Sequence, residues 1–216
     1  MPIGTDAVLL GAWAKQEEPA RILDIGTGCG IIALMLAQRY NEATIDAVDI
    51  DEASINEALG NFSKSPFAGR LVAEHIEIKD LRRPKRFDLI VSNPPYFTEE
   101  ILSPKQARAQ ARHGISLSYD DLLWSVNRLL SSDGAFCCVL PEANLKAFVL
   151  KAEKNGLLLN RTTHIKYNEK KPVSVSLLRF SRYDEGLDID TLILHYEEGK
   201  PTDKYKELVC DFYLWA

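Results

Sequence analysis

Strand-like and helix-like runs alternate along the first 154 residues of this chain, and this alternation constrains the fold more than any other feature. The strand-like runs cover 21–25, 44–50, 71–78, 87–92 and 135–140. The helix-like runs cover 31–39, 51–62, 119–130 and 142–154. Strands that alternate with helices form a parallel sheet covered on both faces, because each return between parallel strands needs a crossover. Right-handed crossovers then predict an α/β fold with a doubly wound, mostly parallel sheet.

The C-terminal part of the chain departs from this alternation. Residues 159–167 and 173–181 are two strand-like runs with no helix-like run between them. Strands connected so closely pair antiparallel, so we predict one antiparallel strand near the C-terminus of a seven-stranded sheet. Residues 187–195 suggest a further strand, and residues 205–213 suggest a terminal helix.

Composition narrows the class of protein. A chain of 216 residues is long enough for one sizeable domain, and no apolar run approaches the roughly 18 to 20 residues of a membrane span. None of the four cysteines is spaced as C-x-x-C, so we expect no metal and no redox pair. We expect a cytoplasmic protein with no membrane partner. The net charge of −5 does not indicate a nucleic-acid binder, although local patches matter more than the total.

The first motif follows the first strand-like run and reads Asp24-Ile25-Gly26-Thr27-Gly28-Cys29-Gly30. Glycines allow a tight turn and let backbone approach a ligand, and the next helix offers free N–H groups. A dinucleotide fold places its third glycine one residue later, where this chain has Ile31. An acid followed by this glycine spacing instead suits S-adenosylmethionine, whose amino-acid end is zwitterionic and lacks phosphate. The alternative is a glycine cluster with a structural role only.

Acidic residues follow the next two strands. Asp49, next to Ile50, ends the second strand and can accept hydrogen bonds from both hydroxyls of a ribose. Asp80 follows the third strand and is predicted to meet the adenine amino group. The alternative is a purely structural role, and this alternative carries more weight for Asp80 alone than for the glycines and acidic residues taken together.

The second motif, Asn93-Pro94-Pro95-Tyr96, follows the buried strand 87–92. In a sheet of order 3-2-1-4-5, strands 1 and 4 are neighbours, and the ligand crevice lies at their carboxyl ends. We therefore expect Asn93 to lie beside the methyl group of the cofactor. A stiff loop without a catalytic role is the alternative interpretation.

This second motif suits methyl transfer to an amino group on a planar ring, which is a poor nucleophile because the ring shares its lone pair. The Asn93 side-chain oxygen and the Pro94 carbonyl can accept the two N–H groups, and Tyr96 can stack on the ring. Positioning and electrostatics suffice, without a strong base. We assign Asn93, Pro94 and Tyr96 to catalysis, and Pro95 and Phe97 to the substrate.

Together the two motifs resemble those of class I S-adenosylmethionine-dependent methyltransferases, Rossmann-like enzymes, of the amino-methylating N-P-P-Y group. The segment from Gly4 to Ala14 is similar to the lead-in of the bacterial tRNA1(Val) (adenine-N6)-methyltransferase family, which methylates the adenine 3′ of the anticodon. Residues 34–39, 110–112 and 212–214 also resemble that family.

The resemblance implies S-adenosylmethionine as cofactor and tRNA as partner. It implies cofactor or base binding by Asp24, Gly26, Asp49, Asp80 and Asn93, and it places Thr5 and Asp6 close to the cofactor. Family members carry a longer segment before Gly4, so we expect residues 1–216 to form a single methyltransferase domain that lacks this N-terminal segment. We expect a monomer or a weak dimer.

An RNA substrate requires cations for its phosphates. Lys105, Arg108 and Arg112 fall at i, i+3 and i+7, so they share one face of a helix just after the second motif. A second basic cluster, expected near the mouth of the site, comprises Lys79, Arg82, Arg83, Lys85 and Arg86. An ordinary solvated surface is the alternative for each set.

Two other functions compete with RNA adenine methylation. Glutamine N-methyltransferases of release factors use N-P-P-Y on a side-chain amide, but they carry an N-terminal helical domain for which this chain has no room. A non-catalytic module that binds RNA or cofactor would have no physical need for an intact N-P-P-Y. The salt dependence of substrate binding would separate an RNA partner from a protein partner.

Overall fold

The computed structural model describes residues 4–84, 86–94 and 117–214. The strands found there are β1 (Arg21–Ile25), β2 (Thr44–Asp49), β3 (Leu71–His75), β4 (Phe87–Ser92), β5 (Leu130–Pro141), β6 (Leu158–Lys166), β7 (Val173–Ser181) and β8 (Asp188–Ile193). The α-helices found there are α1 (Thr5–Trp13), α2 (Ile31–Arg39), α3 (Glu52–Ser63), α4 (Tyr119–Leu129), α5 (Leu145–Lys154) and α6 (Asp203–Val209).

The strands form one sheet in the order β3-β2-β1-β4-β5-β7-β6-β8. All neighbouring pairs from β3 to β5 are parallel, β7 is antiparallel to both β5 and β6, and β8 is parallel to β6. The predicted α/β class with an antiparallel C-terminal strand is confirmed. The predicted number of seven strands was one too few, because β8 joins the sheet as an edge strand whose first four residues are exposed and lack the alternation of a half-buried strand.

Two apolar layers cover the sheet. One layer contains buried residues of α1, α2, α3 and α6, and the other contains those of α4, α5 and the segment 78–81. Cys137 and Cys138 of β5 point into different layers, as the period of a strand requires. Burial raises the pKa of the Cys137 thiol to about 12, which keeps it protonated and unreactive.

Helix α1 was not predicted from the sequence. All seven residues from Ala7 to Trp13 are buried, so the helix is apolar on every side and lacks the periodicity of an amphipathic helix. It packs closely on α2: a Cβ at Gly11 would lie 2.7 Å from the Met35 sulfur. Arg39, the last residue of α2, donates to the carbonyls of Gly11, Ala12 and Ala14 at 3.0, 2.7 and 2.8 Å.

These bonds satisfy carbonyls that a helix end leaves unpaired. They also bring the C-termini of α1 and α2 together. Gly11 lies against Met35 and Ala14 against Arg39, so the two helices run in the same direction, and their N-termini point towards the same edge of the sheet. Thr5 and Asp6 therefore begin α1 at the edge where Gly30 precedes α2; Thr5 is exposed and Asp6 half-buried.

Among the described helices, none is long and apolar enough to cross a membrane. The described residues also contain no group of three or more His, Cys, Asp or Glu side chains that could hold a metal ion. The organisation as a single domain stays a prediction.

Candidate active site

The glycine motif forms the turn between β1 and α2. Gly26, Gly28 and Gly30 have φ angles of +71°, +56° and +82°, a region in which any side chain would strain the backbone. The backbone N–H groups of Gly26 and Thr27 donate to the Val48 carbonyl at 2.9 and 3.1 Å, which anchors the turn to β2.

The glycines differ in what surrounds them. A Cβ at Gly30 would lie 2.5 Å from the Phe62 ring, so this glycine is required for packing against α3. A Cβ at Gly26 would meet nothing within 4 Å. The backbone at Gly26 therefore faces open space, as expected where a ligand approaches the main chain.

Asp24 is fully buried at the end of β1, directly below the turn. One carboxylate oxygen accepts a 2.7 Å hydrogen bond from the Thr27 hydroxyl, whereas the other, Oδ1, is buried and has no partner among the described groups. Burial raises the pKa of Asp24 to about 7, with a smaller contribution from Asp49, against the lowering effects of the Thr27 hydrogen bond and of the nearby Ala33 backbone N–H. A buried, unpaired carboxylate oxygen fits the ammonium group of an amino acid.

Asp49 links β2 to the glycine turn. Its Oδ2 accepts from the Gly28 backbone N–H at 2.9 Å, and its Oδ1 accepts from the Asp51 N–H at 3.0 Å. Each carboxylate oxygen has a second lone pair, so Asp49 keeps capacity for further donors such as hydroxyls. The neighbouring Ile50 is exposed, and its carbonyl is 2.8 Å from Nε2 of His75.

Asp80 lies on an exposed turn beyond β3. The Ile76 N–H donates to the Asp49 carbonyl at 3.0 Å, so the segment that carries Asp80 leaves the sheet beside Asp49. Ile78 and Leu81 are buried on either side of this turn, while Asp80 itself is exposed. This early turn is why β3 ends at 75 rather than at the predicted 78.

The two motifs are brought together by the pairing of β1 with β4. Ile25 lies opposite Ser92, and the Ser92 hydroxyl donates to the Ile25 carbonyl at 2.9 Å. Gly26 and Asn93 are the next residues on the two strands, so the predicted adjacency of their ends is observed. Asn93 is half-buried and Pro94 is buried. Sequence reasoning missed Ser92, because its bond to Ile25 depends on the pairing of two strands that are 67 residues apart in the chain.

Several predicted residues lie outside the described part of the chain. These are Lys85, Pro95, Tyr96, Phe97, Lys105, Arg108 and Arg112. Their assignments to catalysis and RNA binding stay predictions.

Comparison with known proteins identifies the family. Residues 3–146 match the family described as methyltransferase small domain. A tRNA1(Val) (adenine(37)-N6)-methyltransferase of Vibrio parahaemolyticus is 40% identical over 214 residues, which cover 99% of this chain and 89% of the relative. The chain belongs to the tRNA1(Val) (adenine(37)-N6)-methyltransferase family. A family member of Pedobacter heparinus is 42% identical, with 99% and 92% covered.

Solved structures support the same fold at much lower identity. A predicted O-methyltransferase of Agrobacterium tumefaciens superposes with a TM-score of 0.74 and 16% identity, over 96% of both chains. An O-methyltransferase of Brevibacillus brevis, solved in complex with S-adenosyl-L-homocysteine, has a TM-score of 0.59 and 11% identity, over 81% of this chain and 70% of that one. At these identities the likeness shows the fold alone, and that fold is the one seen in other methyltransferases.

Proposed function

We propose that this protein transfers a methyl group from S-adenosylmethionine to the exocyclic N6 of the adenine 3′ of the anticodon in a tRNA resembling tRNA1(Val). The relatives that span nearly all of the chain carry this activity in their names. The structural observation that carries the proposal is the bond from Ser92 to Ile25, because it puts Asn93 next to the glycine turn.

The residues around the glycine turn fit this cofactor. Asp24 would hold the ammonium group through the buried Oδ1 that has no other partner in the described structure. Asp49 would accept from the ribose hydroxyls, and Asp80 from the adenine amino group. The cofactor supplies a methyl group on a positively charged sulfur. The rest of the chemistry requires only that a nitrogen be held in line with that methyl group.

Asn93 and Pro94 would hold the target nitrogen. Their oxygens accept its two N–H groups, which draws the nitrogen towards tetrahedral geometry and makes its lone pair available. Pro94 is buried, its ring fixes its own φ, and the proline that follows it in the sequence restricts its ψ to the extended region, so its carbonyl has little freedom to turn away. Once methylated, the nitrogen is strongly acidic and loses its proton without a dedicated base.

We further propose that the protein works in the cytoplasm as a monomer or a weak dimer. A substrate as large as tRNA needs an open site, and Gly26 and Asp80 both face open space or solvent at this edge.

The function is tested by incubating the protein with methyl-labelled S-adenosylmethionine and tRNA from cells that lack this modification. We expect N6-methyladenosine at the position 3′ of the anticodon, detected by nuclease mapping and nucleoside mass analysis. A release factor should accept no label in a parallel reaction. Label on glutamine of the release factor and none on tRNA would overturn the proposal.

A further inference from the structure

Several arginines gather far from the glycine turn, although the chain as a whole is acidic, with a net charge of −5. They line a cleft of about 530 Å³, here called the arginine cleft, which is formed by Arg82, Arg83, Pro84, Arg86, Arg128 and Leu129. The sequence places Arg82, Arg83 and Arg86 in one basic cluster, but Arg128 joins them only through folding.

The arginine cleft lies at the edge of the sheet opposite to the candidate active site. Arg86 directly precedes β4, and Arg128 is in the last turn of α4. Asn93 follows the other end of β4, and a strand rises about 3.3 Å per residue, so Arg86 and Asn93 are roughly 20 Å apart. The expectation that this cluster lies near the mouth of the site is therefore wrong for Arg86.

One of these arginines is neutralised by acids. Arg83 pairs with Asp46 at 2.7 Å and with Glu74 at 2.5 Å. For Arg82, Arg86 and Arg128, in contrast, the described residues provide no carboxylate partner. Their positive charges are not cancelled within this part of the structure.

These three guanidinium groups donate to backbone carbonyls instead. Arg128 donates to Leu81 at 2.8 Å and to Ile78 at 3.3 Å, and Arg82 also donates to Leu81, at 3.1 Å. Among the described groups, Arg86 donates only to the Leu130 carbonyl, at 3.3 Å. A carbonyl positions a guanidinium but leaves its charge in place, and Nε of Arg128 is buried without any described partner.

The like charges are close enough to affect one another. Burial lowers the pKa of Arg128, and the charge of Arg82 lowers it further. Arg182, which directly follows β7, is a neighbour of Arg86: burial lowers its pKa, and the charge of Arg86 adds to this effect. An anion that bridges the guanidinium groups would relieve this repulsion.

An aromatic ring extends this surface. Trp124, one turn before Arg128 on α4, is 49% exposed, and the Arg128 guanidinium lies 5.0 Å from the centre of its ring. An exposed tryptophan beside uncompensated arginines offers a sugar or a base an apolar face next to its phosphate.

We propose that the arginine cleft binds the sugar–phosphate backbone of the tRNA substrate at a point remote from the methylated base. This inference rests on the proposed function for the identity of the RNA. The planar guanidinium group matches phosphate through two parallel hydrogen bonds. A contact roughly 20 Å from Asn93 reaches nucleotides outside the reacting one, so it adds affinity and orientation without reading a base.

The test removes the two most exposed charges and keeps Arg128, which also supports the loop at Leu81. The double variant Arg82→Gln/Arg86→Gln is compared with Lys64→Gln/Lys204→Gln. The control removes the same charge from two exposed positions on the other face of the sheet, Lys64 directly after α3 and Lys204 on α6. Circular dichroism and thermal unfolding establish that both variants are folded.

We expect the arginine variant to raise the KM for tRNA on the order of tenfold and to reduce the slope of log Kd against log salt by one to two. The kcat at saturating tRNA and the affinity for S-adenosylmethionine should not change. The lysine control should behave like the wild type. A KM and a salt slope equal to those of the control would show that the arginines only satisfy carbonyls, and would overturn the inference.

A trinucleotide centred on the target adenine separates this inference from the proposed function. It extends one nucleotide to each side of the reacting base, too short to span the roughly 20 Å from Asn93 to the arginine cleft, so the two enzymes should not differ on it. If the wild type methylates tRNA and the arginine variant has an unchanged salt slope, only the RNA-binding role of the arginine cleft is contradicted. If the arginine variant lowers the salt slope of tRNA binding but the wild type yields no N6-methyladenosine, only the proposed function is contradicted. Equal inhibition by polyglutamate and by non-substrate RNA would indicate an acidic protein and overturn the assignment to RNA.

Discussion

The Ser92 hydroxyl donates a 2.9 Å hydrogen bond to the Ile25 carbonyl, and this bond joins the two strand ends that lead into Gly26 and Asn93. Both residues are buried, so neither group can exchange its partner for water. The distance between the glycine turn and Asn93 is therefore set by the core of the sheet rather than by the loops. Asn93 directly follows β4, so its position next to the glycine turn does not depend on a long loop.

We predict that Ser92→Ala costs about 1 to 3 kcal/mol of unfolding free energy, because it leaves a buried carbonyl without its donor. Ser125→Ala is the matched control: that serine is equally buried, but its hydroxyl has no described partner. Its removal should be neutral or stabilising. Urea unfolding measures both, and equal losses would show that the Ser92 bond contributes nothing specific.

Cofactor affinity should depend on pH through Asp24. Its pKa of about 7 in the free protein means that the carboxyl is largely protonated at pH 6, whereas the cofactor ammonium requires the carboxylate. Affinity should rise about fivefold between pH 6 and 7, below the range near 8 where an α-amino group loses its own charge. Calorimetry of Asp24→Asn should show weak binding without this rise. Asp80→Asn, which alters an exposed carboxyl, should keep the wild-type profile.

The same burial makes Asp24 a source of instability in the free protein. Its folded pKa, about 7, lies above the unfolded value of about 3.9. The folded state therefore binds the Asp24 proton more tightly, and the stability that this proton contributes is complete below pH 4 and is lost as the pH rises to 7. Ligand-free Asp24→Asn should therefore gain stability relative to wild type by about 1.4 kcal/mol per pH unit across that window. Unfolding free energies whose difference does not change between pH 5 and 7 would argue against a buried neutral carboxyl.

We predict that Asp49→Ala weakens binding of S-adenosylmethionine by about 3 kcal/mol, since two charge-assisted hydrogen bonds to the ribose would be lost. The variant also removes the acceptor of the Gly28 N–H, so the glycine turn loses one of its anchors. Asp51→Ala is the control for the loss of a neighbouring carboxylate, because Asp51 caps α3 by accepting from the Ser54 N–H and lies outside the proposed contacts. Unchanged affinity in Asp49→Ala would refute the ribose assignment.

Strands buried on both faces were the easiest elements to predict. The predicted bounds of β1, β4 and β7 agree with the structure, because each strand is rich in buried apolar residues and ends at a glycine or at a polar residue. Helix α1 was missed because it is buried all round, and β8 was left out of the predicted sheet because its outer side is exposed. Periodicity is informative only where one side of an element faces water.

The candidate site was predictable where residues adjoin strand ends. The carboxyl ends of neighbouring parallel strands meet, so Asp24, Asp49 and Asn93 could be brought together from strand order alone. The Ser92 bond and the arginine cleft could not, since each depends on side-chain packing between distant segments. Arg128 reaches the Leu81 carbonyl 47 residues away, and no spacing in the chain indicates that contact.

The most direct test of the central claim, that Asn93 holds the target amino group beside the cofactor, is single-turnover methylation of tRNA by Asn93→Ala. We expect the rate to fall by roughly 10²- to 10³-fold, the usual effect of removing one preorganised polar group. Affinity for S-adenosylmethionine, measured on the same sample, should stay within about twofold of wild type, well below the tenfold that 1.4 kcal/mol represents. Asn93→Asp keeps an oxygen that can accept the same N–H group and should recover part of the rate. A near-normal rate in Asn93→Ala would contradict the claim.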